Sequence, residues 1–300
     1  MKFLSKVMLG YLIAVYSSFA SDNIMDRLDG SDIFASTERL KIFSLNQSIE
    51  YPLGKDGSCS FDKDKAYITF KGNKGNFGEI LQIANTDKEK LIGYSIKGKV
   101  QKNVYDIFKS HEHLMLEYIK LYSARNHISF NDIKITVEGY SRGTTFAKLA
   151  AISITDNLGV RPINVLNYAP ISIFDQQAAD QYDLIIGKYN HINFIADEDF
   201  VPPIFTGQKP LVLKIFNYTL KGDFKPVGID IPFSAYNSTV YCKEVQRNHY
   251  LHLSDGLYAC MPFSLSVKEW NAHMPEIYNF MSLVSYKRQK KFYLEGKYKL

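Results

Sequence analysis

One stretch narrows what this chain can fold into more than any other: residues 133–159, IKITVEGYSRGTTFAKLAAISITDNLG. Residues 133–138 read as a strand, 139–143 as a turn, and 144–157 as an Ala-rich helix that stops near Gly159 and Pro162. Passing from strand to helix within so few residues brings the backbone close to neighbouring elements. Gly139 and Gly143, two before and two after Ser141, leave no Cβ in the way. A serine held on such a bend projects its hydroxyl above the end of a sheet.

The flanking sequence supplies the rest of that sheet. AYITF, at 66–70, is a short apolar run rich in β-formers, and KGNKGNFG halts it. Residues 103–126 read as a helix. Val104, Ile107, Phe108, Met115, Tyr118, Ile119 and Tyr122 mostly recur at three- and four-residue spacing, and Asn103 is expected at the N-cap. Two more buried strands are expected at 163–169 and 191–196. Strands alternating with helices predict an α/β fold, a mostly parallel sheet with helices on both faces. Residues 21–64 are polar and read as a lead-in packed outside the domain, and 205–260 as β-hairpins or long loops. A last helix is expected at about 271–286. The tail after it is strongly basic and reads as a solvated end, with an anionic or lipid surface as the sharper alternative. With no repeat and no low-complexity linker, one domain over 21–300 is expected, its core at about 65–286.

The first twenty residues read differently. Lys2 and Lys6 precede an apolar run from Val7 to Tyr16, and the small residues Ser18 and Ala20 stand where a signal peptidase cuts. That run is short of the roughly 20 residues a spanning helix needs. A cleavable signal peptide over 1–20 is therefore expected, and with it a secreted or periplasmic protein. The formal net charge of +5 is too weak to argue for a nucleic-acid partner. Export permits disulfides among Cys59, Cys242 and Cys260, with the pairing open. No cysteine pair has zinc-ligand spacing, so neither a metal nor another cofactor is expected.

A serine hydroxyl attacks a carbonyl only when a base takes its proton and a third group orients that base. In a fold of this kind the chain order is Ser, then Asp or Glu, then His. Acids follow the strand at 191–196 in ADEDFVPP, namely Asp197, Glu198 and Asp199. The histidines after Ser141 are His191, His249, His252 and His273, and His273, at the start of the last helix, suits a loop folding back over the sheet edge. His111 and His113, on the helix before the serine, read as surface residues.

From about Lys65 to Phe280 the chain resembles the class 3 lipases, a branch of the α/β-hydrolases acting on acylglycerols and related esters. AYITFKGN is similar to the family's strand ending in F-R-G-[ST]. ITVEGYSRGTTFAKLAA is similar to its V-T-G-H-S-L-G-G-A-L-A-x-L-A-A elbow and helix. ADEDFVPPI resembles its N-x-x-D-x-V-P-x-L-P segment, and NAHMPEIY its A-H-x-x-Y ending. Tyr140 and Arg142 stand where the family has His and Leu, and Lys71 and Asn73 where it has Arg and Ser or Thr. The G-Y-S-R-G form is also similar to that of a group of bacterial phospholipase effectors.

The resemblance implies an α/β-hydrolase fold and a secreted serine hydrolase that cleaves lipid or other carboxylic esters through an acyl-enzyme on Ser141. Asp199 and His273 would complete the triad, with Asp197 as rival acid and His249 and His252 as rival bases. The backbone N–H groups of Asn73 and Arg142 would form the oxyanion hole. Residues 76–99 stand where the family carries a lid, although their charged centre suits a plain surface connection equally. Contact with a membrane surface is an open expectation. The alternative from another class is a protein that keeps the fold as a non-catalytic binder or scaffold.

Overall fold

The structure, a computed structural model, describes residues 27–28, 30–40, 51–72, 87–197, 199, 201–206 and 223–233. The expected signal peptide, the last helix, the basic tail, Cys242 and Cys260 lie outside the described residues.

Seven strands form the main sheet in the order β1-β2-β3-β6-β7-β8-β9. They are β1 (Tyr51–Leu53), β2 (Gly57–Asp62), β3 (Lys65–Phe70), β6 (Lys134–Tyr140), β7 (Asn164–Tyr168), β8 (His191–Ala196) and β9 (Ile229–Phe233). From β3 to β9 every pairing is parallel. β1 and β2 extend the sheet antiparallel. A separate antiparallel pair, β4 (Lys88–Lys90) with β5 (Lys99–Gln101), occupies part of the stretch considered for a lid. The central strand β6 is buried from Ile135 onward, as expected of a strand covered on both faces.

Parallel neighbours need crossovers, and the described helices supply them: α2 (Lys102–Asn126) between β3 and β6, α3 (Gly143–Leu158) between β6 and β7, and α4 (Gln176–Tyr182) between β7 and β8. These three share one apolar core with the sheet. At its centre Phe70 of β3 meets Phe108 of α2 and Phe146 of α3 edge-on, with centroids 6.5 and 5.8 Å apart. α1 (Gly30–Arg39) covers the opposite face, where Tyr168 donates its hydroxyl to Ser36 at 2.9 Å. The expected helices on both faces are present. Among the described residues no helix is long and apolar enough to cross a membrane.

Four local expectations are corrected. Residues 51–62 are not an outer lead-in but sheet strands: only alternate side chains of β2 face the core, and the polar ones between them hide the period. Residues 229–233 are a parallel strand rather than part of a hairpin or loop. Pro232 is tolerated because β9 ends the order of described strands. The N-cap of α2 is Gln101, not Asn103. The buried face of α2 admits Glu112 and leaves out Ile107, which is 38% exposed. Glu112 accepts hydrogen bonds from Tyr94 at 2.6 Å and Ser153 at 2.7 Å and pairs with Lys109. Burial works against its charge, yet those partners outweigh it and hold its carboxyl below the usual range.

Cys59 is a free thiol buried completely in the core, and burial pushes it well above the usual cysteine range.

Candidate active site

Because β3, β6 and β8 run parallel, their carboxyl ends share one edge of the sheet. Three of the predicted site segments leave from that edge: Lys71–Gly72 after β3, Ser141–Arg142 after β6, and Asp199 after β8. Ligand sites of open α/β sheets lie at this edge.

Ser141 adopts φ +51, a left-handed conformation that only a few per cent of residues other than glycine take. Its backbone N–H donates to Tyr168 O at 2.9 Å, and its carbonyl accepts from the Thr144 N–H at 2.9 Å and the Thr144 hydroxyl at 2.7 Å. These bonds fix the bend. The expected role of the glycines is borne out in distances: a Cβ on Gly139 would stand 2.6 Å from both Gly143 O and Thr144 Cα, and one on Gly143 would collide with Phe70 O. A Cβ on Gly72 would lie 3.0 Å from Ser141 Cβ, so the end of β3 closes directly on the serine. Ala169, just past β7, also has positive φ, at 54°. Two residues besides glycine therefore hold left-handed backbone at one sheet edge, the kind of place where functional strain collects.

The rival acids part company here. Asp199 is only 2% exposed, and its carboxylate accepts the Val201 N–H at 2.9 Å, capping the start of α5 (Val201–Phe205). Asp197 lies exposed. His191 begins β8, far down the sheet from the serine edge, and is fully buried, with Nε2 2.6 Å from Asn167 Nδ2. Burial, and then the charge of Lys148, hold its imidazolium well below the usual range.

Beside the elbow lies a buried polar cluster that the sequence did not announce. Arg142, the residue after the serine, pairs through its guanidinium with Asp56 Oδ1 and lies 5.4 Å over the Phe146 ring. The other oxygen of Asp56 faces His111 Nε2 at 3.0 Å, and the Asp56 carbonyl accepts the Lys71 N–H at 2.8 Å. His111, read from sequence as a surface residue, is largely buried in this contact, its side chain 14% exposed. The only hint in the sequence was the arginine in a position where the resemblance calls for leucine.

Two more charges stand beneath the edge. Glu138, fully buried just before Gly139, is gripped by Arg39 of α1, and Thr69 donates to it at 3.3 Å. Lys148, on the second turn of α3, is 2% exposed and donates to Ile171 O at 2.7 Å, while Thr144 accepts the Ile171 N–H at 2.9 Å. Burial pushes the Lys148 ammonium down to about 7, with Asp230 opposing.

Asn73, the other expected oxyanion donor, and the bases His273, His249 and His252 lie outside the described residues. Among the described residues no three His, Cys, Asp or Glu side chains gather so as to hold a metal ion.

Residues 67–209, a little under half of the chain, match the family model described as Lipase (class 3). The resemblance to the class 3 lipases holds over this segment. The matched segment contains Asn73, Ser141, Arg142 and Asp199 and leaves out His273, β1 and β2. A triacylglycerol lipase from Penicillium expansum superposes with a TM-score of 0.51 at 15% identity, covering 69% of this chain and 81% of that one. The shared architecture is the α/β-hydrolase fold. The Rhizomucor miehei triacylglyceride lipase, 14% identical with a TM-score of 0.46, covers 59% of this chain, which spans 60% of that lipase's length. No curated protein sequence matches the chain.

Proposed function

We propose that this protein is a secreted or periplasmic serine hydrolase that cleaves carboxylic esters of lipids. The observation that carries the reading is Ser141 in left-handed backbone on a glycine-bounded elbow, inside a segment that matches the class 3 lipases. The burial of Asp199 against the exposure of Asp197 favours Asp199 as the acid of the triad, since that carboxylate must hold an imidazole away from water.

In this reading His273 takes the Ser141 proton as Oγ bonds to the ester carbonyl carbon. The negative charge that develops on the carbonyl oxygen is held by the backbone N–H groups of Arg142 and Asn73. Each such donor is worth roughly 3–4 kcal/mol in the transition state. The imidazolium, steadied by Asp199, then protonates the departing alcohol, leaving an acyl group on Ser141. Water attacks that carbonyl, gives its proton to His273, and releases the fatty acid as Ser141 recovers its hydrogen.

The test is turnover of short- and long-chain p-nitrophenyl esters and of phospholipid vesicles, beside labelling by a fluorophosphonate. Hydrolysis and labelling that both vanish in Ser141→Ala are expected. A folded wild-type chain that neither labels nor hydrolyses any of these esters overturns the reading in favour of a binding protein. The balance between long-chain, short-chain and phospholipid rates decides among lipase, esterase and phospholipase. Recovery of the chain outside the membrane, beginning at Ser21, tests export.

A further inference from the structure

We propose that Asp56 is a positioning residue for the oxyanion hole; the inference rests on the ester-hydrolase reading above. An oxyanion hole works only if two backbone N–H groups from different parts of the chain aim at one point. In the ester-hydrolase reading one is the Arg142 N–H at the start of α3, and the other follows Lys71–Gly72 in the chain. The pairing between β3 and β6 ends at Phe70 with Gly139, so beyond that register the sheet no longer holds the two segments together. Asp56 does. Its carbonyl accepts the Lys71 N–H at 2.8 Å, and its carboxylate, 6% exposed, takes the Arg142 guanidinium on one oxygen. The other oxygen faces His111 of α2 at 3.0 Å, which anchors the group to a rigid helix. The next residue, Gly57, pairs with Phe70 and ties the Asp56 backbone to the same strand end.

Arg142 depends on this partner. Its side chain is 13% exposed and its Nε is buried with no hydrogen-bond partner, so Asp56 is what offsets the burial of the charge. Without that carboxylate the guanidinium must turn towards water, and the link that joins the start of α3 to the Lys71 N–H at the end of β3 is lost. A misplacement of about 1 Å at such a site costs on the order of 10²-fold in rate. Because the hole binds the transition state more tightly than the ester, the loss falls on kcat and not on KM.

The experiment uses the full chain with near-isosteric variants, Asp56→Asn, Arg142→Gln and the pair. Fluorophosphonate titration counts competent sites, so that any misfolded fraction drops out of the comparison. Each single variant is expected to lower kcat per titrated site by about 10- to 100-fold, with KM held within about twofold. Affinity for a trifluoromethyl ketone, which mimics the tetrahedral intermediate, should fall by the same factor. The double variant should lose no more than Arg142→Gln alone, because Asp56 acts through that residue. Wild-type kcat in either single variant, a change confined to KM, or losses that multiply in the double variant would each overturn the assignment. A wild-type chain with neither labelling nor turnover overturns the hydrolase reading instead.

Discussion

Arg39 grips Glu138 in a forked ion pair, with Nε 3.0 Å from one carboxylate oxygen and an Nη 2.5 Å from the other, three residues ahead of Ser141. The carboxylate is fully buried, and the guanidinium also lies 3.9 Å over the Tyr67 ring. Burial alone would lower the proton affinity of Arg39, but Glu138 outweighs it and the guanidinium is raised. Removing one partner leaves the other charge stranded, so Arg39→Ala should destabilise the fold by about 3–5 kcal/mol. Replacing both by apolar residues, as in Arg39→Met with Glu138→Leu, should recover most of that loss. Urea unfolding of these two variants beside the wild type checks this, and a double variant no more stable than Arg39→Ala refutes it.

Gly143 and Gly159 bound the same helix but demand glycine for different reasons. A Cβ on Gly143 has no room beside the Phe70 carbonyl, whereas Gly159 needs only its φ of +68 and meets nothing within 4 Å. Gly159→Ala should therefore cost about 1 kcal/mol of left-handed strain and leave activity intact. Gly143→Ala must push β3 and the elbow apart, and should lose activity by a far larger factor than its change in stability accounts for. Melting temperature and ester turnover of the two variants, measured side by side, decide the matter.

Lys148 makes stability depend on pH. The unfolded chain holds this proton up to about 10.5, while the folded chain releases it at about 7. Between those values unfolding takes up a proton, so stability should rise with pH by about 1.4 kcal/mol per unit. His191, lowered from 6.5, adds a slope of the same sign at lower pH. Lys148→Met should flatten the upper window and raise stability at neutral pH. Urea midpoints at pH 7, 8.5 and 10 show whether the slope disappears; an unchanged slope rules out Lys148 as its source.

The two aspartates after β8 should separate in kinetics as they do in burial. Asp199→Asn is expected to lower kcat by about 10⁴-fold, because the base then loses its orienting charge. Asp197→Asn, on an exposed side chain, should change kcat by less than about threefold. Equal losses in the two variants would remove the distinction.

Much of this was legible in the sequence, for identifiable reasons. The β6–elbow–α3 unit can be read because its constraint is local: an apolar strand, two glycines two residues either side of a serine, and an Ala-rich helix. The strands at 66–70 and 191–196 were legible because both are short apolar runs ended by turn-formers. β2 was not, since it puts only alternate side chains into the core, and in a short strand that pattern resembles a loop; β9 was not, since Asp230 and Pro232 break up its apolar residues. His111 looked like a surface residue because its partner, Asp56, is 55 positions away in the chain.

By itself the sequence determined the bend that carries Ser141, because glycine placement and backbone sterics act over a few residues and need no distant partner. Tertiary structure alone decided which charges lie inside. Glu138 with Arg39, Arg142 with Asp56, and Lys148 with the Ile171 carbonyl each join residues far apart in the chain. A buried charge is tolerable only where folding delivers its partner, and no local pattern of residues encodes that meeting.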